Sequence, residues 1–183
     1  PVETGWPVLI VDDDEEVHLA TRYAMQTFRY LDRAVALTHA HSAAEARAIL
    51  ASRQDFAVVL LDVVMETQDA GLQMVRHIRD DLGMSEVRII LRTGQPGYAM
   101  ELEVFTSYDI NDYRTKSELT QTRLFTAVIS ALRSYQQIRT IAENRRGLEK
   151  IVHAASDLME LRALGSFAEG VLIQLAGLLR LPV

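Results

Sequence analysis

Short segments with strand character alternate with amphipathic segments over the first 115 residues of this 183-residue chain. Several strand segments are wholly apolar and rich in β-branched residues, which is typical of strands buried on both faces of a sheet. Between them, apolar residues recur every three or four positions, as on a helix that covers a sheet. The alternation predicts an α/β fold with a doubly wound, five-stranded parallel sheet. The predicted strands lie near residues 8–11, 35–37, 56–61, 87–91 and 112–114.

Helical spacing between these strands predicts four helices. The first covers residues 17–28, the third residues 72–78, and a shorter fourth residues 100–105. The second has a recognisable start, because Ser42 followed by Glu45 forms the pattern of a capping box.

The pattern changes at about residue 121, where strand signals stop and apolar residues continue at helical spacing. Part of this helix carries an apolar seam on alternating steps of three and four, which predicts a helix pair between two chains and hence a homodimer. A helix packed on its own domain is the alternative. The seam consists of Ile138, Ile141, Leu148, Val152, Ala155 and Met159.

These changes of pattern predict three parts. Residues 1–120 form the α/β domain, and residues 121–163 form its last helix, which continues as a signalling or coiled-coil helix. Leu164, Gly165 and Ser166 are expected to close that helix, with a break at Gly147 as a further option, because glycine is a poor helix former. Residues 164–183 are interpreted as the start of a truncated following domain.

The composition of the chain excludes some classes of protein and site. The net charge is −6, with 19 acidic and nine basic side chains up to residue 113 and six acidic and ten basic ones after it, so direct nucleic-acid binding is not expected. The chain has no cysteine, which excludes disulfides and thiolate metal sites and fits a cytoplasmic protein. No apolar stretch is long enough for a membrane span.

Acidic residues follow two of the predicted strands. The run that starts with Asp12 and Asp13 comes directly after the first strand, and Asp62 ends the most apolar one. Ligand sites in parallel sheets lie outside the carboxyl ends of the strands. Carboxylates gathered there favour a site for a hard cation such as Mg²⁺, although an acidic run at a helix start is often only a solvated cap.

Two further strand ends supply complementary groups. Thr93 offers a hydroxyl after the fourth strand, and Lys116 offers a positive charge after the fifth. A lysine suits phosphate oxygens as a point charge, although a solvated surface lysine is the ordinary alternative.

These motifs resemble the receiver domains of two-component response regulators. The stretch from Val8 to Asp13 resembles the family's first strand and acidic pair, and the stretch from Leu60 to Met65 resembles its phosphoacceptor strand. Asp69 with Gly71 resembles the following loop, with Ala70 inserted. Thr93, Tyr113 and Lys116 stand at the positions of the switch hydroxyl, the switch aromatic and the conserved lysine.

The resemblance implies a flavodoxin-like fold and a phosphorylation switch. Asp62 is expected to take a phosphoryl group from a histidine kinase or a phosphotransfer protein. Asp12, Asp13, Asp62 and the carbonyl of Val64 are expected to hold Mg²⁺, with Lys116 and Thr93 assisting the transfer. Thr93 and Tyr113 are then expected to rearrange. Such a receiver promotes its own phosphorylation and dephosphorylation and is not a multiple-turnover enzyme.

The stretch from Tyr108 to Arg139 resembles a subgroup of regulators with a long helix after the receiver. In that subgroup a GAF-like domain follows, and often an HD-GYP cyclic-di-GMP phosphodiesterase. A phosphodiesterase is therefore expected only of the parent protein, because the chain contains no HD-GYP residues.

Departures from the family pattern motivate an alternative function. Glu66, Gly94 and Ser117 stand where proline, alanine and proline are usual, so the chain could instead be a receiver fold kept as a non-switching dimerisation scaffold. A stand-alone metal-dependent phosphohydrolase is a weaker alternative, because the sequence offers no substrate lid or second acid–base group.

Histidines supply a last candidate. His39 and His41 flank the end of the second strand and could bind a metal, although solvated side chains are the ordinary interpretation. His18, His77 and His153 have no partner at ligand spacing in the sequence.

Overall fold

The computed structural model describes residues 5–93, 110, 112–115 and 120–178. Five strands and four helices lie in these ranges. The strands are β1 (Trp6–Val11), β2 (Val35–Ala40), β3 (Val58–Asp62), β4 (Arg88–Thr93) and β5 (Asp112–Thr115). The helices are α1 (Glu15–Met25), α2 (Ala43–Ser52), α3 (Ala70–Arg76), which continues as a π-helical turn (His77–Asp81), and α4 (Gln121–Leu178). The helix predicted at 100–105 falls outside the described residues.

The five strands form one parallel sheet in the order β2-β1-β3-β4-β5. This is the order of a doubly wound sheet whose direction of winding reverses between β1 and β3. The fold class predicted from the alternating pattern is therefore confirmed. The carboxyl ends of β1 and β3 are neighbours at the reversal, since Val11 pairs with Leu61.

Each buried strand contributes to two apolar clusters, one on each face of the sheet. Leu9 and Leu61 pack with residues of α2 and α3, whereas Ile10 and Leu60 pack with Met25 of α1 and with α4. Successive side chains of a strand point to opposite faces, so a strand covered on both faces requires apolar residues at successive positions. The α4 residues of this cluster are Leu124, Ala127, Val128, Ala131, Leu132 and Tyr135.

The start of α2 follows the predicted cap with one change. The Ser42 hydroxyl accepts a hydrogen bond from the Glu45 backbone N–H at 3.1 Å, as the capping box requires. The Glu45 carboxylate, however, accepts from the backbone N–H of His41 at 2.7 Å, one residue before the cap. The capping box is thus present with its reciprocal bond shifted toward the end of β2.

Helix α4 is continuous past Gly147 and Gly165. The helix end predicted at residues 164–166 is therefore wrong. One glycine in a helix interior costs only about 1 kcal/mol, and the helix from Gln121 to Leu178 contains no proline to stop it. That residues 164–183 begin a further domain remains a prediction.

The chain divides into two compact units, residues 1–138 and residues 139–183. In the second unit the described seam residues Ile141, Leu148, Val152 and Met159 expose between 63% and 72% of their surface. Their own chain does not cover them. None of the helices within the described ranges is long and apolar enough to cross a membrane.

Candidate functional site

Three carboxylates meet at the reversal point of the sheet. Asp12 lies directly after β1 and Asp62 ends β3, and with Asp13 each offers an oxygen within 4.8 Å of the others. Asp12 and Asp62 are buried, whereas Asp13 is exposed. The group therefore has a closed inner side and an open mouth at Asp13. The sequence placed these residues together correctly.

A buried arginine completes the inner side of this carboxylate group. The Arg92 guanidinium donates to Asp12 Oδ2 at 3.1 Å and to the Thr21 hydroxyl of α1, also at 3.1 Å. Its side chain is 3% exposed and that of Asp12 is 0% exposed. Burial lowers the pKa of Arg92, and the nearby carboxylates of Asp12 and Asp62 act in the opposite direction.

Arg92 is a functional candidate that the sequence analysis missed. It ends an otherwise apolar run in β4 and pairs in register with Asp62. An arginine inside an apolar strand is the signal that could have revealed it, because a buried charge requires a counter-charge. Its Nε has no hydrogen-bond partner in the described part of the chain.

The donor set fits a hard divalent cation. Mg²⁺ takes carboxylate and carbonyl oxygens and keeps several waters. Asp12 Oδ1 accepts from the backbone N–H of Asp14 at 3.1 Å and Oδ2 accepts from Arg92. A carboxylate has about four lone-pair sites, so neither bond prevents Asp12 from binding a metal as well.

The loop after β3 is held tightly to the site. A Cβ added to Gly71 would lie 2.1 Å from the carbonyl oxygen of Asp62, and the Gly71 N–H donates to the Val63 carbonyl at 3.0 Å. Only glycine fits this approach of α3 to the end of β3. The backbone N–H of Val64 lies 3.5 Å from Asp62 Oδ1. Val64 as a carbonyl ligand remains a prediction.

Glu66, one of the departures from the family pattern, has a defined contact. Its Oε1 accepts from the backbone N–H of Ala43 at 2.8 Å, in the first turn of α2. A carboxylate at a helix N-terminus satisfies a free N–H and complements the helix dipole. Glu66 thus ties the loop after Asp62 to α2.

The remaining predicted site residues are described in part or not at all. Thr93 ends β4 and Tyr113 lies on β5, but their side chains are outside what the structure describes. Lys116, Gly94 and Ser117 lie wholly outside the described residues. Their roles remain predictions.

Three histidines meet beside the backbone of Asp12. The sequence analysis named His39 and His41 as a possible metal-binding pair but did not foresee that His18 joins them. His18 of α1 contacts His39 of β2, and its ring lies 4.2 Å from that of His41, centroid to centroid. His18, which has no partner at ligand spacing in the sequence, therefore has two histidine neighbours in the fold. His39 and His41 are far from His18 in the sequence, and only the packing of α1 beside β2 joins them.

Comparison with known proteins establishes the family. The model of the response regulator receiver domain matches residues 8–129. The chain belongs to the response regulator receiver family. A model of a domain of unknown function, DUF3369, matches residues 128–183, after the receiver.

One curated relative resembles the receiver and the following helix together. The chain is 44% identical over 176 residues to a protein named 3'3'-cGAMP-specific phosphodiesterase 2 from Vibrio cholerae serotype O1. The match covers 96% of this chain and 34% of that protein. The chain thus spans about a third of the length of this relative.

Solved structures agree on the receiver fold. The signal receiver domain of an HD domain-containing protein from Pseudomonas fluorescens Pf-5 matches with a TM-score of 0.61 at 22% identity, covering 73% of this chain and 98% of that one. The N-terminal domain of a response regulator/sensory box/GGDEF protein from Carboxydothermus hydrogenoformans matches with a TM-score of 0.60 at 21% identity, covering 72% and 97%. At these identities the likeness shows the fold alone.

Proposed function

We propose that this receiver accepts a phosphoryl group on Asp62 from a phosphohistidine of a sensor histidine kinase or a phosphotransfer protein. The observation that carries the proposal is the position of Asp62, buried at the end of β3 with an oxygen within 4.8 Å of Asp12 and Asp13. The donor's phosphorus–nitrogen bond breaks as a phosphorus–oxygen bond to Asp62 forms, and the imidazole leaves with a proton. Hydrolysis by water later returns the carboxylate and inorganic phosphate.

The chain's own residues prepare this transfer. Gly71 allows α3 to approach the Asp62 backbone, and Arg92 fixes one oxygen of Asp12. Asp12, Asp13, Asp62 and the Val64 carbonyl would hold Mg²⁺, which when bound supplies positive charge next to the transferring phosphoryl group. The family resemblance assigns Lys116 to the phosphoryl oxygens and Thr93 and Tyr113 to the subsequent switch.

The output of the switch is assigned to α4. Phosphorylation at the strand ends would bias a homodimer formed through the exposed seam of Ile141, Leu148, Val152 and Met159. A second copy is the occupant that best fits, because an apolar seam of alternating threes and fours is the pattern of paired helices.

The parent protein is proposed to act on a cyclic dinucleotide. The support is the 44% identity to a relative named as a 3'3'-cGAMP phosphodiesterase, which includes the helix after the receiver. The receiver itself would be a self-phosphorylating and self-dephosphorylating switch and not a multiple-turnover enzyme. Partnership with histidine kinases also makes the cytoplasm the proposed location.

Intact-mass spectrometry after incubation with acetyl phosphate and Mg²⁺ tests the acceptor role. The wild-type chain is expected to gain one phosphoryl group, and Asp62→Asn none. Asp69→Asn is the matched control, because Asp69 lies in the same loop but is exposed and bonded to Thr67 and Gln73. Equal phosphorylation of wild type and Asp62→Asn would contradict the proposal.

A non-switching dimerisation scaffold is the second candidate. One observation favours this function. Arg92 already supplies a buried positive charge to Asp12, so the carboxylate has a partner without a metal ion. Under that function neither acetyl phosphate nor Mg²⁺ would change the receiver, and the wild-type chain would show no phosphoryl gain in the same experiment.

A further inference from the structure

Two of the three histidines beside Asp12 already bring ring nitrogens together, and the third stands next to them. The Nδ1 atoms of His18 and His39 face each other at 2.8 Å. Two imidazole ligands of one tetrahedral Zn²⁺ lie about 3.3 Å apart, given zinc–nitrogen bonds of about 2.0 Å. A separation change of about half an ångström would therefore let one cation replace the proton shared by this pair.

Burial and hydrogen bonding prepare His18 as a ligand. Its side chain is buried, and its Nε2 lies 2.8 Å from the backbone carbonyl oxygen of Asp12. Because a carbonyl only accepts, Nε2 carries the proton and Nδ1 presents a lone pair. Metal-ligating histidines usually donate their second ring N–H in this way, which fixes the tautomer and the orientation of the ring.

His39 supplies the other nitrogen of this pair. Because His18 Nδ1 presents a lone pair, the proton between the two rings is carried by His39 Nδ1. A bound cation takes the place of that proton, since metal binding to histidine releases protons.

His41 and Glu15 stand at the mouth of the cluster. The His41 ring lies against His18, and His41 Nδ1 is 3.4 Å from the Glu15 carboxylate. The two side chains are 45% and 67% exposed, so both have room to turn inward. A cavity of about 180 Å³ lies among these residues, lined by Glu15, His18, Leu19, Arg22, His39 and His41.

We propose that His18, His39 and His41, completed by Glu15, bind a borderline divalent cation of the Zn²⁺ class. The nitrogen donors separate this site from the carboxylate group, because imidazole suits Zn²⁺, Cu²⁺ and Ni²⁺ whereas carboxylates suit Mg²⁺. Binding draws the exposed His41 and Glu15 toward the fixed His18–His39 pair. The site shares only the Asp12 backbone with the proposed phosphorylation site and does not depend on that function.

Titration of the untagged chain with Zn²⁺ tests the site, with excess Mg²⁺ present to occupy the carboxylates. Calorimetry is expected to give one equivalent of bound Zn²⁺, and the imidazole nitrogen signals of His18 and His39 are expected to shift in NMR spectra. His39→Gln and His41→Gln should each weaken binding by at least about tenfold. His18 is left unchanged because it is buried and bonded to the Asp12 backbone.

Three controls make the result decisive. His77→Gln and His153→Gln should bind like wild type, since His77 is paired with Asp81 and His153 lies in the second unit. Asp13→Asn should also bind like wild type. Absence of saturable binding, wild-type affinity in His39→Gln, or loss of binding in Asp13→Asn would each overturn the proposal.

Discussion

The two units of the chain differ in how far they bury their apolar residues. In residues 5–93, strands β3 and β4 bury all of their apolar side chains and even the charged side chains of Asp62 and Arg92. In residues 139–178 the described seam residues remain largely exposed. The first unit thus covers most of its apolar residues with its own chain, whereas the second carries seam residues that its own chain leaves exposed. This contrast is the basis for the proposal that a second copy pairs with the helix.

Removal of the buried guanidinium of Arg92 is expected to have the largest effect on the stability of the first unit. Arg92→Met should lower the free energy of unfolding by about 3–5 kcal/mol, because it breaks a buried ion pair by removing one partner. Urea denaturation measures this loss. In the double variant Asp12→Asn/Arg92→Met much of the stability should return. A loss below about 1 kcal/mol, the value of an exposed pair, would contradict the account.

The same substitution in the two units should give different results. Leu60→Ala in the sheet should lower the free energy of unfolding by about 2–5 kcal/mol, because Leu60 is fully buried. Leu148→Ala in α4 should change it by no more than about 0.5 kcal/mol at concentrations where the chain is monomeric. Urea denaturation of both variants makes the comparison, and similar losses would show that the helix seam is covered by its own chain.

Replacement of two glycines by alanine is expected to change the stability in opposite directions. Gly71→Ala should destabilise the chain by about 1–3 kcal/mol, because its Cβ would overlap the Asp62 backbone. Gly147→Ala should stabilise α4 by about 1 kcal/mol, because nothing lies within 4 Å of its Cβ position and alanine is the better helix former. Thermal unfolding with circular dichroism measures both. A stabilised Gly71→Ala variant would contradict the close approach described for α3.

A small pH effect is expected from the histidine cluster. The pKa of His39 is lowered in the folded chain, so below about pH 6.5 the unfolded chain binds this proton more readily. The His39 contribution is therefore present at neutral pH and is lost as the pH falls through the unfolded value. His39→Gln should show a shallower loss of stability on acidification than wild type or His153→Gln. Identical slopes in urea denaturation series would contradict this.

The sequence predicted the parts of the molecule that depend on local patterns. Apolar runs revealed the strands, and the rule for strand ends brought Asp12, Asp13 and Asp62 together. The contacts of Arg92 with Asp12 and of His18 with His39 were missed, because they depend on strand register and on how α1 packs beside β2. The end of α4 was misplaced because a lone glycine such as Gly165 is too weak a signal to stop a helix.

Phosphorylation of Asp62 is proposed to control pairing of α4 with a second copy. Sedimentation velocity of the wild-type chain with Mg²⁺, with and without a beryllium fluoride phosphoryl analogue, measures this coupling. The analogue is expected to shift the monomer–dimer equilibrium of the wild type but not that of Asp62→Asn or of a Leu148→Gln/Val152→Gln variant. An equilibrium that is the same with and without the analogue, or a response that persists in Asp62→Asn, would show that the phosphorylation site does not control pairing.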